Sequence, residues 1–309
     1  MLFEKVFIME KVVVLLSTYN GGAYLAEQLE SLSAQCNVDV EIIVRDDGST
    51  DETVDILNEW QSRGALKWYT GDNMGSAGSF MDLLYNAPDA DFYAFCDQDD
   101  VWLPDKLQRA VKMIKENGSV NVPSLYFSAQ TLVDSDKNVI GYNIPDRLFT
   151  FGESLLRNPA AGCTMVFGRK FRRLIVRERP DYVHMHDMWL YMVCLAVGGV
   201  PLFDPTPTML YRQHSKNVVG CNQTFLQKTL RRFRMFLDGK DSIRMKTCEQ
   251  LLKCYSKDMP ERHVDILNCI MAYRTSVKNK FKLLCFKEIN TTSCVGRLFF
   301  GISVFANRY

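Results

Sequence analysis

The sequence predicts an α/β protein built on a doubly wound, mostly parallel sheet, and two observations support this prediction. Before residue 118, short apolar runs typical of buried strands alternate four times with segments of helical periodicity. Four consecutive strand-helix units favour a parallel sheet with helices on both faces. The 309 residues are 47% hydrophobic, which is ample for a buried core.

The four strands are predicted at residues 12–16, 40–44, 66–69 and 91–96. Three of the helices between them are marked by apolar residues at helical spacing: Leu25, Leu29 and Leu32; Val54, Leu57 and Trp60; and Phe80, Leu83 and Leu84. Ser49 and Glu52 have the spacing of a capping box that would open the second helix. A fourth helix is expected from Pro104 to about Gly118.

The pattern changes after Gly118. Strand-like pieces are predicted at residues 125–127, 131–141 and 162–168, with helices at 171–177 and 187–197. From about residue 223 onward the periodicity predicts helices with many basic residues. We therefore expect an α/β domain over residues 1–222 and a basic helical region over residues 223–309.

Charge is distributed unevenly along the chain, although the net charge is only +1. Residues 221–309 hold 17 Lys and Arg against 7 Asp and Glu, which leaves 20 against 29 in residues 1–220. The C-terminal part is expected either to face an anionic partner or to attract the acidic front part.

Cysteine usage and hydropathy predict a cytoplasmic protein. Ten cysteines occur without a C-x-x-C pair, which favours reduced thiols over a disulfide framework or a zinc site. Residues 1–10 include Glu4 and Glu10 and lack the apolar stretch of a signal peptide. No run approaches the eighteen or so apolar residues of a membrane span.

Two carboxylates, Asp97 and Asp99, directly follow the fourth predicted strand. Ligands of open α/β sheets bind at the carboxyl ends of strands, and Mg²⁺ or Mn²⁺ binds few protein carboxylates while leaving positions for phosphate oxygens. The pair therefore indicates a divalent cation held against a diphosphate. The alternative is an acidic loop, including Asp100, that caps the helix beginning near Pro104 and Asp105.

The turns after the first two strands carry the polar residues Ser17, Thr18, Tyr19 and Asn20, and Asp46 and Asp47. A ring such as Tyr19 can stack on a base, and an Asp can accept from a base N–H or a ribose hydroxyl. No G-x-G-x-x-G follows the first strand and no G-x-x-x-x-G-K-[ST] occurs, so neither a dinucleotide fold nor a P-loop is supported. Asn20 and Asp47 would serve equally well as turn and cap residues.

Taken in order, these motifs resemble the family 2 glycosyltransferases of the GT-A fold, which show S-T-Y-N, D-D-G-S and D-x-D after the corresponding strands. The resemblance is close over residues 12–108 and extends to about residue 220. The wording V-R-D-D-G-S, F-C-D-Q-D-D-V-W, G-C-T-M, H-D and Y-R-Q-H, beginning at residues 44, 95, 162, 186 and 211, is similar to the bacterial rhamnosyltransferase-type members.

The resemblance implies a role for each matching residue. The nucleotide and donor sugar would be bound by Ser17, Thr18, Tyr19, Asn20, Asp46, Asp47, Asp97, Gln98 and Arg212. A divalent cation, Mn²⁺ or Mg²⁺, would be held by Asp99 and His214. Asp187 would be the catalytic base, and His186, Trp189 and Trp102 would lie on the acceptor side.

Several of these residues have simpler explanations. Asp187 opens an apolar helix and would also suit an N-cap beside His186. Trp102 and Trp189 are equally typical core aromatics, and a lone residue such as His214 is usually a polar core or surface residue. Where relatives often show Trp-Trp after the His-Asp pair, this chain has Met188 before Trp189, so its acceptor surface is expected to differ.

The implied activity is an inverting, metal-assisted transfer of a sugar from a nucleotide-sugar donor, such as rhamnose from dTDP-rhamnose. The acceptor would be a hydroxyl of a growing cell-surface polysaccharide or of its lipid-linked precursor, and no nucleic acid partner is expected. The basic region 223–309 would either touch an anionic membrane at its inner face or pack on the transferase domain.

One alternative to an active transferase is a catalytically silent nucleotide-sugar-binding or scaffolding subunit. A nucleotidyltransferase should instead show a Gly- and Arg-rich loop after the first strand.

Overall fold

A seven-stranded sheet forms the centre of the computed structural model, which describes residues 9–119, 121–213, 241–289 and 294–308. The strands are β1 (Lys11–Thr18), β2 (Asp39–Asp46), β3 (Lys67–Thr70), β4 (Phe92–Cys96), β5 (Val101–Trp102), β6 (Ser124–Ser128), β7 (Gln130–Val133), β8 (Val139–Asn143), β9 (Val166–Gly168), β10 (Val200–Asp204) and β11 (Met209–Arg212). The helices are α1 (Leu25–Ser33), α2 (Thr53–Ser62), α3 (Gly75–Asn86), α4 (Lys106–Asn117), α5 (Phe151–Ser154), α6 (Arg169–Arg177), α7 (His186–Ala196), α8 (Asp241–Tyr255), α9 (Glu261–Ala272), α10 (Val277–Leu284) and α11 (Cys294–Phe305).

The strand order in this sheet is β10-β6-β9-β4-β1-β2-β3. The first four strands of the chain are parallel to one another, whereas β9 runs antiparallel to both β4 and β6. The mostly parallel α/β sheet predicted from the alternating pattern is therefore confirmed. Because β1, β2 and β4 are parallel and adjacent, their carboxyl ends meet at one edge of the sheet.

A second, smaller sheet covers that edge. Its strand order is β5-β11-β7-β8, with β11 pairing antiparallel to β5 and parallel to β7. The strand-like stretch predicted at residues 131–141 is in fact the hairpin of β7 and β8. The chain reverses there because Asp134 Oδ1 accepts from the N–H groups of Asp136 and Asn138, and Lys137 adopts a φ of 66°.

Helices lie on both faces of the large sheet, as predicted. Residues 12–16 of β1 are fully buried and alternate between two cores: Val13 and Leu15 join one, and Val12, Val14 and Leu16 join the other. The first core contains apolar residues of α3, α6 and α7, and the second contains those of α1, α2 and α4. A strand buried on both faces explains the uninterrupted apolar run in the sequence.

The C-terminal helices share the first of these cores. Trp189 in α7 packs against Tyr255 in α8 with 6.0 Å between ring centroids, and Ile266, Leu267 and Val304 are fully buried in the same cluster. The boundary expected near residue 222 lies in 214–240, outside the described residues, and stays a prediction. Within the described ranges, every helix is too short or too polar to span a bilayer.

Two local predictions were wrong. Residues 162–164, predicted as the start of a strand at 162–168, form a single 3₁₀ turn, and the strand covers only Val166–Gly168. The capping box at Ser49 and Glu52 does not form, because the Ser49 hydroxyl donates to Asp46 Oδ1 at 2.5 Å instead. Helix α2 begins at Thr53, whose N–H and hydroxyl donate to Asp51 Oδ1 at 3.1 and 2.5 Å.

Replacing Leu267 by Ala should destabilise the whole chain by about 3 kcal/mol, because a fully buried leucine in a shared core leaves a cavity. The matched control is Leu298→Ala, since Leu298 lies in the same C-terminal region and is 64% exposed. Denaturant unfolding measures both, and the control should change the free energy of unfolding by less than about 0.5 kcal/mol. Two separate transitions, with Leu267→Ala shifting only one of them, would show that the C-terminal helices do not share the core.

Candidate active site

Gln98 joins the loop after β4 to the turn after β1. Its Oε1 accepts from the Thr18 hydroxyl at 2.6 Å and from the Tyr19 backbone N–H at 2.8 Å, and its Nε2 donates to the Tyr19 carbonyl at 3.3 Å. Gly21 makes this contact possible, since a Cβ there would overlap the Gln98 amide. Thr18 is 1% exposed, and the Gln98 amide holds the turn. The donor contact expected of both residues stays a prediction.

Asn20 and Asp46 tie the turns after β1 and β2 together. Asn20 has a φ of 49°, donates its N–H to Ser49 Oγ at 2.8 Å and accepts from the Thr50 N–H at 2.9 Å. Asp46 Oδ2 accepts from the N–H groups of Gly48 and Ser49 at 3.0 and 2.9 Å. Both residues therefore perform the turn chemistry that was the alternative to direct donor binding.

A cavity of about 500 Å³ opens between the turns that follow β1, β2 and β3. Its lining residues are Tyr19, Asp47, Gly48, Thr70, Gly71, Asp72 and Asn73. Tyr19 is 49% exposed, and Asp47 is 4% exposed, pairs with Arg45 and accepts from the Met74 N–H at 3.3 Å. Volume and lining suit a nucleoside, with an aromatic face and a carboxylate in reach.

Ser17 lies beside this cavity's wall rather than in its lining. Its hydroxyl shares a hydrogen bond of 2.7 Å with Ser79 Oγ, and Ser79 also accepts from Arg45 Nη1 at 3.3 Å. The residues after β3, Thr70 to Asn73, had no assigned role from the sequence. The sequence feature that could have identified them is their position at the end of a parallel strand, at the same edge of the sheet.

Carboxylates converge at the end of β4. Burial, and then the charges of Asp99 and Asp187, raise the pKa of Asp97 to about 7. Burial, followed by Asp99 and Asp97, raises the pKa of Asp100 well above its ordinary value. Asp100 is 1% exposed, and its Oδ2 lacks a hydrogen-bond partner among the described residues. The charge of Asp187 therefore acts on Asp97 in the loop after β4. The sequence alone could not establish this interaction.

Lys106 and Cys163 lie behind this acidic cluster and were not assigned a role from the sequence. Lys106 is fully buried, donates to the Cys163 carbonyl at 2.9 Å and lies 4.4 Å from the centroid of the Trp102 ring. Burial lowers the pKa of Lys106 to about 8, while Asp100 and Asp97 act in the opposite direction. A lysine at the start of a helix that looks exposed in the sequence is normally solvated. Only the tertiary structure could therefore reveal that Lys106 is buried.

The donor set fits a hard divalent cation. One ligand atom each from Asp97, Asp100 and Cys163 lies within 4.8 Å of the others. Burial raises the pKa of the Cys163 thiol well above its ordinary value, so it stays neutral and does not suit Mg²⁺ or Mn²⁺, which take oxygen ligands. Burial first, and then the charges of Asp99 and Asp187, raise the pKa of Asp97, and a bound cation would offset this cost. The oxygen donors of this group are the carboxylates of Asp97 and Asp100, and the predicted ligand Asp99 lies between them in the sequence.

Asp187 occupies the first turn of α7. Its Oδ1 accepts from the Met188 N–H at 2.6 Å, and the N-cap of the helix is Met185 rather than Asp187. Burial raises the pKa of Asp187 to about 6, against lowering hydrogen bonds from its own helix end, Asn158 and Gly162. The carboxylate is therefore mostly ionised at neutral pH but poised to accept a proton.

His186 is packed inside the protein. Its ring lies 4.0 Å from the ring of Phe80 and 5.0 Å from that of Phe95, measured between centroids. Burial lowers the pKa of His186 to about 3, and both ring nitrogens lack a hydrogen-bond partner within the described part of the chain. The imidazole is neutral and only 4% exposed, and the expected place of His186 on the acceptor side stays a prediction.

Three other predicted site residues are buried in this structure. Arg212 is 2% exposed, and its guanidinium donates to the carbonyls of Asp99 at 3.0 Å and Ser135 at 2.6 Å and pairs with Glu27, so it holds the loop. Trp102 and Trp189 are 2% and 1% exposed and belong to the two cores. The phosphate contact expected of Arg212 and the acceptor contacts expected of the two tryptophans stay predictions. His214 lies outside the described residues, and its role stays a prediction.

Comparison with known proteins gives a consistent result. A family model described as Glycosyl transferase family 2 matches residues 13–179. The dTDP-rhamnosyl transferase RfbG of Shigella flexneri is 31% identical over 233 residues, covering 69% of this chain and 76% of that protein. The Escherichia coli UDP-Glc:alpha-D-GlcNAc-diphosphoundecaprenol beta-1,3-glucosyltransferase WfgD is 25% identical over 190 residues, covering 61% and 71%.

Solved structures share the fold. S. aureus TarS 1–349 in complex with UDP-GlcNAc has a TM-score of 0.56 at 17% identity, covering 95% of this chain and 81% of that one. The mannosyltransferase PcManGT from Pyrobaculum calidifontis, in complex with GDP-Man and Mn²⁺, has a TM-score of 0.50 at 17% identity, covering 98% and 81%. The predicted GT-A type of α/β fold is thereby confirmed.

Replacing Gly162 by Ala should destabilise the protein by about 1–3 kcal/mol, because the new Cβ would overlap His186 Nε2 and lie 3.4 Å from Asp187 Cβ. The control is Gly141→Ala, whose Cβ would meet only Leu132 Cδ1 at 3.9 Å. Equilibrium unfolding in denaturant compares the two. Equal free energies of unfolding for both variants would contradict the tight packing of His186 against Gly162.

Proposed function

The chain belongs to glycosyl transferase family 2, and we propose that it catalyses an inverting, metal-assisted transfer of rhamnose from dTDP-rhamnose to a glycan hydroxyl. The chain is a glycosyltransferase by family. The donor, the acceptor and the roles of individual residues are the proposal. The observation that carries it is the position of Asp187: a Cβ on Gly162 would lie 3.4 Å from Asp187 Cβ, and the Sγ of the adjacent Cys163 lies within 4.8 Å of an Asp97 carboxylate oxygen.

The nucleoside is proposed to occupy the 500 Å³ cavity lined by the turns after β1, β2 and β3. Tyr19 would stack on the base, and Asp47 would accept from a base N–H or a ribose hydroxyl. Asp97, directly after β4, would face the ribose side. Gln98, Thr18 and Asn20 keep these turns in place through the hydrogen bonds described above.

The reaction is proposed as a single displacement at the anomeric carbon. The acceptor hydroxyl oxygen attacks that carbon opposite the diphosphate, and Asp187 takes the hydroxyl proton as the new C–O bond forms. The bond from the anomeric carbon to the diphosphate oxygen breaks, and its electron pair leaves with the nucleoside diphosphate. When bound by Asp99, with His214 as the second predicted ligand, a divalent cation would neutralise the charge that builds on this leaving group.

The donor assignment is supported by a relative's printed activity. The Shigella flexneri protein, a dTDP-rhamnosyl transferase, aligns over more than two thirds of this chain. The proposed acceptor is a growing polysaccharide or its lipid-linked precursor, supported by the diphosphoundecaprenol acceptor in the name of the Escherichia coli relative. Eight cysteines of the described residues are unpaired, which supports a reducing compartment, and we propose the cytoplasm.

The pH dependence of turnover should report the ionisation of Asp187. A general base acts as the carboxylate, and burial raises its pKa to about 6, so kcat should fall about tenfold per pH unit below about 6 and be flat above it. Asp187→Asn should lower kcat about a hundred- to ten-thousandfold without changing donor affinity. The exposed Asp265→Asn is the control. A wild-type inflection near 4, or a fully active Asp187→Asn variant, would exclude this base.

Thermal unfolding with a panel of nucleotide sugars should identify the donor. With Mn²⁺ present and ligand at about a hundredfold its Kd, dTDP-rhamnose should stabilise the native state by about 2.7 kcal/mol. Asp99→Asn should lose the Mn²⁺-dependent part of this stabilisation, whereas the exposed Asp136→Asn should keep it. Stabilisation by a UDP-hexose and none by dTDP-rhamnose would overturn the rhamnosyl assignment.

A further inference from the structure

Helices α10 and α11 present apolar side chains to solvent. We define the C-terminal apolar face as Val277, Phe281, Leu298, Ile302 and Phe305, which are between 46% and 64% exposed. Isolated exposed apolar residues are ordinary, but a continuous group of this size marks an interaction surface.

The five side chains form one continuous face. Val277 and Phe281 are four residues apart on α10, and Leu298, Ile302 and Phe305 are spaced by four and three residues on α11, so each set lies on one side of its helix. The rings of Phe281 and Phe305 meet edge to face with 5.4 Å between centroids and join the two helices. Lys280 Nζ also donates to the Phe305 carbonyl at 3.0 Å.

The opposite sides of these helices are anchored in the protein. Leu283 of α10 and Phe300 and Val304 of α11 are at most 5% exposed and belong to the first core. The exposed face is therefore a second apolar surface on helices that already bury one. Such helices lie flat at an interface, with one side on the protein and the other free for a partner.

Positive charge is concentrated in the segment that carries this face. Residues 273–308 contain seven Lys and Arg, at positions 274, 278, 280, 282, 287, 297 and 308, against one acid, Glu288. Glu288 is itself paired with Arg262. Lys278 and Lys282 on α10 and Arg297 on α11 are exposed next to the apolar side chains.

From this combination we propose that the C-terminal apolar face docks on an anionic phospholipid surface. Its apolar side chains would enter the headgroup region while the surrounding cations contact lipid phosphates. A second copy of the chain is the less suitable occupant, because two identical faces would bring two sets of seven cations together. The proposal goes beyond the transferase activity and does not depend on the identity of the donor.

The test is sedimentation of the full chain with vesicles of phosphatidylcholine, with and without phosphatidylglycerol. The wild type should partition onto the anionic vesicles at least about tenfold more than onto phosphatidylcholine alone, and salt should weaken the binding. The combined Phe281→Ser, Leu298→Ser and Ile302→Ser variant should lose at least about tenfold. Lys278→Glu with Lys282→Glu should lose binding to the anionic vesicles specifically.

The matched control changes equally exposed apolar residues elsewhere. Val139→Ser with Ile144→Ser alters side chains that are 57% and 53% exposed near β8, and this variant should bind vesicles like the wild type. All variants should melt as the wild type does, because the altered side chains are exposed. No wild-type binding, equal binding by the face variants, or equal loss in the control would overturn the proposal. So would a concentration-dependent dimer, abolished by the triple variant, without vesicle binding.

Discussion

The structure depends on one constraint: parallel strands deliver their carboxyl-terminal residues to the same edge of the sheet, so acidic side chains are crowded there. Four carboxylates lie in this region although like charges repel: Asp97, Asp99, Asp100 and Asp187. Burial of Asp97, Asp100 and Asp187 adds to the free-energy cost of ionising them. A loop under this repulsion has to be held by its surroundings. Lys106, fully buried behind the cluster, supplies a compensating positive charge.

Several residues of the recognisable motifs hold that loop and its neighbours in place. Gln98 links the loop to the turn after β1, and Arg212 links it to the small sheet through the Asp99 carbonyl. Asn20 and Asp46 stabilise the neighbouring turns in the same way. The side chains proposed for chemistry are Tyr19 and Asp47 at the cavity, Asp97 and Asp99 in the loop, and Asp187 in the first turn of α7.

The sequence predicted what depends on local pattern. The first four strands and their helices follow from hydrophobic periodicity, and the shared sheet edge follows from the parallel arrangement. Contacts between distant residues could not be read from it: Arg212 meets Glu27 across 185 positions, and Lys106 meets Cys163 across 57. The same applies to Trp189, whose ring packs against Tyr255 of α8, and to Ser49, whose hydroxyl donates to the Asp46 carboxylate.

We propose that the Asp187 carboxylate takes the acceptor proton in a single displacement. Such a displacement inverts the anomeric carbon, whereas a covalent sugar intermediate would retain its configuration. The most direct measurement is the anomeric configuration of the transferred sugar, read by NMR from its one-bond carbon-hydrogen coupling and compared with that of the donor. The account predicts inversion, and a product with retained configuration would contradict it.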